Sequence, residues 1–114
     1  MKTVLLGLLA AIAFPAMAQT VGPTEALLEW DYATSNVTFI VERKSEACSP
    51  TGDWEEVATL PGTARSRLEI SLTPGTSYCW RLYAQNAVGR SAPSAMVGKS
   101  IQALPSAPTN VRVQ

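Results

Sequence analysis

The 114-residue sequence contains no histidine, and this absence excludes more chemistry than any residue that is present. Without an imidazole the chain cannot build the usual serine or cysteine triads, and most zinc sites lose a common ligand. Only two cysteines occur, which is too few for a zinc or iron–sulfur site made of cysteine alone but enough for one disulfide. The sequence therefore predicts no catalytic residues, no metal site and no cofactor.

An excess of charge of one sign is also lacking, since nine Lys and Arg residues balance nine Asp and Glu residues. A neutral chain argues against a protein that coats nucleic acid or that binds membranes through a basic surface. The adjacent carboxylates of Glu55 and Glu56 would point to opposite faces of a strand, so they cannot act as an acid–base pair. The length fits one domain, and we expect its partner to be a protein.

The N-terminal apolar run has the form of a secretory signal. A single positive charge precedes the almost wholly apolar residues 4–14, and Ala16 and Ala18 place small residues at the −3 and −1 positions of a cleavage site. A run of about 11 apolar residues is too short to span the roughly 30 Å hydrocarbon core of a bilayer. We predict a signal peptide over residues 1–18, a mature chain that starts at Gln19 without a membrane segment, and a secreted or periplasmic location.

Most of the mature chain alternates between apolar and polar residues with a period of two, which is typical of strands. The clearest strand covers residues 78–86, where Tyr78 and Trp80 lie on one face. Turn formers such as Pro61 and Gly62 separate the strands. Six strands are predicted in this way, over residues 24–32, 36–44, 54–60, 65–72, 78–86 and 94–103. Short, evenly spaced strands without a helical period favour an antiparallel β-sandwich.

Four segments carry landmarks that go beyond this alternation. They are Trp30, Trp54-Glu55-Glu56-Val57, Leu72-Thr73-Pro74-Gly75-Thr76-Ser77-Tyr78 and Gly89-Arg90-Ser91-Ala92-Pro93-Ser94. Together they resemble a fibronectin type III domain, an all-β, immunoglobulin-like antiparallel sandwich, particularly of the kind common in bacterial secreted proteins. The resemblance implies a tyrosine corner, in which the Tyr78 hydroxyl bonds back to the backbone near Leu72, and it makes Trp30 the core tryptophan. It assigns structural roles to Trp30, Leu72, Tyr78 and Trp80.

The resemblance also bears on the two cysteines. In the fibronectin type III fold the strand before Cys48 and the strand that contains Cys79 are antiparallel neighbours, so the end of one lies beside the start of the other. We therefore expect a Cys48–Cys79 disulfide, which many domains of this family lack. A reactive thiol pair or a soft-metal site is the alternative, and the lack of histidine and of a CxxC pair disfavours it.

The two ends of the chain depart from the family pattern. Residues 19–103 would form the domain, but its first strand, strand A, is missing at the N-terminus. Residues 104–114 instead resemble a proline-rich linker followed by the strand A of another domain. Three interpretations stay open. The chain is the start of a longer multi-domain protein, or the tail supplies its own strand A as a circular permutation, or it pairs with a second molecule through Thr109, Val111 and Val113.

Two surfaces are candidates for binding. In the resembled fold three loops, residues 33–36, 61–64 and 86–91, share one pole of the sandwich. The candidate binding residues at this pole are Tyr32, Ala33, Asn36, Pro61, Gly62, Asn86 and Arg90. The second surface is the outer face of one sheet, where Trp54 and Tyr83 would form a weak version of a carbohydrate platform.

These observations predict a non-catalytic secreted or periplasmic module that binds a protein partner or acts as a spacer. An alternative is an inhibitor or accessory subunit of a secreted enzyme, whose pole loops would enter the cleft of the enzyme. A further alternative is a subunit that assembles with copies of itself by strand donation.

Overall fold

The computed structural model describes residues 20–114, and these residues form six strands and no helix. The strands are β1 (Ala26–Glu29), β2 (Thr38–Lys44), β3 (Glu55–Pro61), β4 (Ser66–Glu69), β5 (Ser77–Gln85) and β6 (Val97–Ser100). Each of them overlaps one of the six predicted strands. The predicted signal peptide, residues 1–18, lies outside the described residues.

The strands form two antiparallel sheets. One sheet contains β1 and β4, and the other has the strand order β3-β2-β5-β6. Side chains from the two sheets share one buried cluster, which includes Leu28 of β1, Val41 of β2 and Trp80 of β5. The prediction of an all-β antiparallel sandwich is therefore confirmed.

The core is built by the alternation of β5. Tyr78 and Trp80 point inward and are 6% and 1% exposed, whereas Arg81 and Tyr83 belong to the opposite alternation and line the outer face. Leu72, to which the resemblance assigned a structural role, is 3% exposed. This arrangement follows from the period-two pattern, which sends successive side chains to opposite faces of a strand.

The tryptophan assignment requires a correction. Trp30 lies one residue beyond the end of β1 and is only partly buried, with its ring edge-on to Phe39 and the ring centroids 5.6 Å apart. Trp80 fills the core instead, because it occupies the middle of β5 between the two sheets. Trp30 therefore packs at the margin of the core.

A hydrogen bond closes the loop before β5. The backbone N–H of Thr73 donates to the Tyr78 hydroxyl oxygen at 3.0 Å, which is the tyrosine corner that the resemblance implies. Hydrogen bonding from Thr73 lowers the pKa of Tyr78, and the positive charge of Arg43 lowers this pKa further. The corner holds residues 72–78 in the turn that leads into β5.

A buried carboxylate joins the two sheets. Glu69, on β4, is 3% exposed. Its Oε1 accepts from Arg43 Nη1 of β2 and from Trp80 Nε1 of β5, both at 3.1 Å, and its Oε2 accepts from Arg67 Nε at 2.9 Å. A buried charge is tolerated only when it is paired and hydrogen-bonded, so Glu69 fixes the position of β4 over β2 and β5.

The two cysteines form the predicted disulfide. Cys48 follows β2 and Cys79 is the third residue of β5, and their Cα atoms are 5.1 Å apart. Gly98 of β6 lies directly beside the bridge, where a Cβ atom would meet Cys48 Sγ at 2.9 Å and the Tyr78 carbonyl oxygen at 3.2 Å. A glycine at this position therefore lets β6 pass the disulfide.

The C-terminal tail does not return to its own sandwich. Residues 102–114 form no strand, and Leu104, Val111 and Val113 are 78%, 82% and 97% exposed. β1 pairs with β4 on one side, and no other strand within residues 20–114 pairs with its second side. The structure thus contains no strand A supplied from the tail of the same molecule.

We predict that Glu69→Gln lowers the free energy of unfolding by about 2–3 kcal/mol, because two arginines lose a buried, charged acceptor. Glu55→Gln is the matched control, since Glu55 contacts the same Arg43 at 3.8 Å but its side chain is 69% exposed. We expect this control to cost less than about 1 kcal/mol. Urea unfolding at pH 7 measures both, and equal effects would contradict a special role for Glu69.

We also predict that Gly98→Ala lowers the stability of the oxidised protein by about 1–3 kcal/mol, because the new methyl group overlaps Cys48 Sγ. The cost should fall by about 1 kcal/mol or more in a Cys48→Ala/Cys79→Ala background, where that sulfur atom is absent. A double-mutant cycle by urea unfolding measures the difference. An unchanged cost in the two backgrounds would show that the disulfide does not require glycine at this position.

Candidate functional site

The three predicted pole loops lie together at one end of the sandwich. Gly62 contacts the carbonyl oxygens of Ser35 and Val37 so closely that no Cβ atom would fit there. Residues 36–38 and 85–87 line one shallow depression. The loops that follow β1, β3 and β5 therefore form one continuous surface, which we call the loop pole.

One arginine that no sequence pattern identified holds two of these loops together. Arg65 Nη2 donates to the carbonyl oxygens of Tyr32 and Thr34 at 3.1 and 2.9 Å. Its Nη1 donates to the carbonyl oxygens of Gly62 and Ala64, both at 2.7 Å. The guanidinium presents its donors in a rigid, planar arrangement, so this contact fixes the two loops relative to each other.

Most of the predicted binding residues are available at the loop pole. Tyr32 is 41% exposed and rests edge-on against Phe39, with ring centroids 5.1 Å apart. Gly62 is buried by the carbonyl groups of the neighbouring loop and cannot contact a partner. The exposed members of the predicted set are Tyr32, Ala33, Asn36, Pro61, Asn86 and Arg90.

Arg90, one of the predicted binding residues, also makes contacts within its own chain. Its Nη2 pairs with Glu56 Oε2 at 3.0 Å, and its guanidinium lies 4.9 Å from the centroid of Tyr83. Both contacts belong to the outer face of the four-stranded sheet. Arg90 therefore covers an aromatic ring of its own chain, and a partner would have to displace these contacts to bind it.

Cations and aromatic rings alternate along this outer face. The row, from the end of β2 to the loop after β5, consists of Lys44, Trp54, Arg81, Tyr83 and Arg90. Arg81 is the central member, with its Cζ atom 4.1 Å from the Trp54 centroid and 5.5 Å from the Tyr83 centroid. Each ring is contacted by two cations and is only partly exposed. The outer face therefore lacks the open aromatic surface that the predicted carbohydrate platform requires.

Lys44 ends the row and is completely buried. Its Nζ donates to the carbonyl oxygens of Ser49 and Thr51 at 2.7 and 2.5 Å and lies 5.0 Å from the Trp54 centroid. A buried ammonium is costly unless it is hydrogen-bonded in this way. Lys44 therefore anchors the loop that also carries Cys48, so this loop is fixed twice.

A third surface lies along the unpaired side of β1. An apolar groove of about 580 Å³ runs between β1 and the segment that leads into β6, and it is lined by Leu28, Trp30, Phe39, Leu82, Ala95 and Val97, among others. The Nε1 atom of Trp30 is buried and has no acceptor among residues 20–114. We call this surface the β1 groove.

The described residues offer little chemistry of other kinds. Within residues 20–114, no three His, Cys, Asp or Glu side chains are grouped closely enough to hold a metal ion. The same residues include no helix that is sufficiently long and apolar to cross a membrane. Glu55 and Glu56 bind different arginines, Arg43 and Arg90, as expected for neighbours on opposite faces of a strand.

Comparison with known proteins gives likenesses of sequence and of fold. No family model matches the sequence. Among curated proteins the chain is similar to contactin-5 of Danio rerio, with 30% identity over 104 residues that cover 84% of this chain. The chain spans only 10% of the length of that protein.

Solved structures of human domains share the arrangement of the strands. The fourth fibronectin type III domain of a human protein matches with a TM-score of 0.62 and 22% identity, over 82% of this chain and 78% of that domain. The sixth such domain of human fibronectin type III domain containing protein 3 matches with a TM-score of 0.58 and 20% identity, over 77% of this chain and 81% of that one.

The outer face generates a prediction about stability. The Arg81–Glu42 pair has a distance of 2.7 Å and side chains that are 17% and 12% exposed. Arg81→Ala should lower the free energy of unfolding by about 2–3 kcal/mol, because it leaves a largely buried carboxylate without its partner. Arg90→Ala, the matched control, removes a more exposed pair and should cost less than about 1 kcal/mol. Urea unfolding measures the loss of unfolding free energy in both variants. Equal losses would show that the burial of an ion pair on the outer face does not determine how much it stabilises the fold.

Proposed function

We propose that this chain, whose described residues have the fibronectin type III fold, acts outside the cytoplasm as a non-catalytic module that binds a protein partner or spaces its neighbours. The observation that carries the proposal is the Cys48–Cys79 disulfide. Structural disulfides persist in oxidising compartments and are rare in the cytosol. The signal-like form of residues 1–18 points to the same destination.

The use of the polar groups supports a non-catalytic role. Three strongly polar side chains that are buried or partly buried, Lys44, Arg65 and Glu69, all bind other groups of the same chain. Each of these contacts holds a loop or a strand in place, and the β1 groove is lined mainly by apolar side chains. Catalysis would require an acid, a base or a nucleophile that is positioned towards an open site.

The loop pole is the surface that we assign to a protein partner. Arg65 fixes the backbone of its loops before any partner arrives, and a preformed surface loses less conformational entropy on binding. Tyr32 is the one large aromatic residue exposed there, and tyrosine is enriched among the residues that dominate binding energy. We place the contact at Tyr32 and the exposed residues beside it.

Export and oxidation can be tested with one mass measurement. The full 114-residue chain is expressed in a bacterium and recovered from the periplasm, and its intact mass is measured without reductant. We expect a chain that begins at Gln19 and is two hydrogens lighter than its reduced form. The Cys48→Ala/Cys79→Ala control should begin at the same residue, show no change of mass on reduction, and be about 3–4 kcal/mol less stable.

Free thiols in the recovered protein, or retention of residues 1–18, would contradict the extracytoplasmic assignment. Hydrolysis of any substrate in a panel of peptides, esters and glycosides by the purified protein would contradict the non-catalytic assignment. A contaminating enzyme is recognised because its activity separates from the protein on a second column.

A further inference from the structure

We propose that the β1 groove binds the C-terminal tail of a second copy of this chain. Residues 109–114 of one molecule would add an antiparallel strand to the unpaired side of β1 in the next. The inference goes beyond the module function proposed above, because it identifies one partner and the surface that this partner occupies.

The backbone of β1 has free hydrogen-bonding groups on this side. In an antiparallel pair, alternate residues exchange hydrogen bonds with the neighbouring strand, and the residues between them point away. The N–H of Trp30 donates to the Arg65 carbonyl oxygen at 3.0 Å, so Leu28 also faces β4. Leu27 and Glu29 therefore direct their backbone groups outwards, where no strand within residues 20–114 pairs with them. Such an edge is a template for another chain.

The groove beside this edge is shaped to take side chains. It contains about 580 Å³ of space, and a smaller depression continues it along β1 towards Val21 and Lys99. A strand that covered it would remove apolar surface of Trp30 and Val97 from water, since both side chains are partly or largely exposed. It could also bring an acceptor to the buried indole N–H of Trp30.

The tail has the features that this site requires. Thr109, Val111 and Val113 alternate, so in an extended strand they would lie on one face, and the two valines are 82% and 97% exposed. The only charged side chain in residues 102–114 is Arg112. The edge that it would approach carries the exposed carboxylates of Glu29 and Asp31, so the charges are complementary.

The tail of the same molecule does not occupy this position, since residues 102–114 form no strand. The chain leaves β6 at Ile101, which bonds to Gly75 and Thr76, and this is the end of the sandwich at which β1 begins. Antiparallel pairing would have to start at the opposite end of β1, about 13 Å away along its four residues. Residues 102–108 span at most about 25 Å when fully extended, and within that length they would have to pass along β1, cross over from β6 and reverse direction. A second copy has no such limit.

The proposed contact joins two different surfaces, a tail and a groove. Each molecule would offer one of each, so the contact is heterologous and does not close on itself. We therefore expect a ladder of oligomers whose average mass rises with protein concentration.

The test uses two variants, each of which should stay monomeric alone, whereas a mixture of the two should assemble. Deletion of residues 109–114 leaves the groove without a donor. Glu29→Pro keeps the tail but removes an N–H that points away from β4, a position where an edge strand tolerates proline. Light scattering coupled to gel filtration should show a concentration-dependent ladder for the non-reduced exported chain and a monomer for each variant alone. An equimolar mixture of the two variants should form a dimer of twice the monomer mass that grows no further.

Glu29→Gln is the matched control, because it removes the same carboxylate but keeps the N–H, and it should still form the ladder. Val111→Asp/Val113→Asp serves as a second tail variant and should behave like the deletion. Both edge and tail variants are first shown to unfold cooperatively in urea, so that a loss of assembly is not a loss of fold.

Three results would overturn the proposal: a monomeric wild-type chain at every concentration, oligomers that survive the deletion, or a mixture of folded variants that does not dimerise. Each of these leaves the extracytoplasmic module intact, because that function is tested by the mass of the exported chain and not by its oligomeric state.

Discussion

The position of one sheet over the other depends on the carboxylate of Glu69. It lies on the smaller sheet, only two strands wide, and it binds Arg43 and Trp80 of the larger sheet inside the sandwich. Apolar contacts between sheets are not directional, whereas a carboxylate bound by donors from two strands of the opposite sheet restricts their alignment. The tyrosine corner, the buried face of Trp80 and the course of β4 all require that alignment, since Arg43 also lies 5.4 Å from the Tyr78 ring.

The other strongly polar side chains also hold neighbouring segments in place, in the loops and on the outer face of the larger sheet. Lys44 and the disulfide fix the loop after β2, and Arg65 joins the two loops of the pole. The outer face covers its own aromatic rings with Arg81 and Arg90. Two surfaces remain open to a partner. One is the preformed loop pole, and the other is the side of β1 that no strand of residues 20–114 pairs, beside the apolar β1 groove.

The strands could be predicted from the sequence because alternation is a local signal, and the disulfide could be predicted because the family topology brings Cys48 to Cys79. The roles of Lys44, Arg65 and Glu69 could not, since each depends on the packing of distant or irregular segments; Arg65 bonds to residues 31 and 33 positions away. Trp30 was assigned to the core because its place at a strand end matched the family. In the structure Trp30 packs against the margin of the core, and Trp80 lies at its centre, where its indole N–H donates to Glu69. Gly62 and Arg90 were predicted to bind a partner because they lie in the loops of the pole. Gly62 is buried by the neighbouring loop, whereas Arg90 is exposed and also contacts Glu56 and Tyr83.

The three tryptophans of the chain occupy three distinct environments, and together they make the molecule its own optical probe. Trp80 is sealed in the core against Tyr78, with ring centroids 5.9 Å apart, so its emission follows the closure of the sandwich. Trp54 lies against two cations, so its emission reports on rearrangements of the outer face. Trp30 borders the groove, where its indole senses the polarity of whatever fills that space. Variants that each keep a single tryptophan would therefore let fluorescence report separately on folding, on rearrangement of the outer face and on occupancy of the β1 groove.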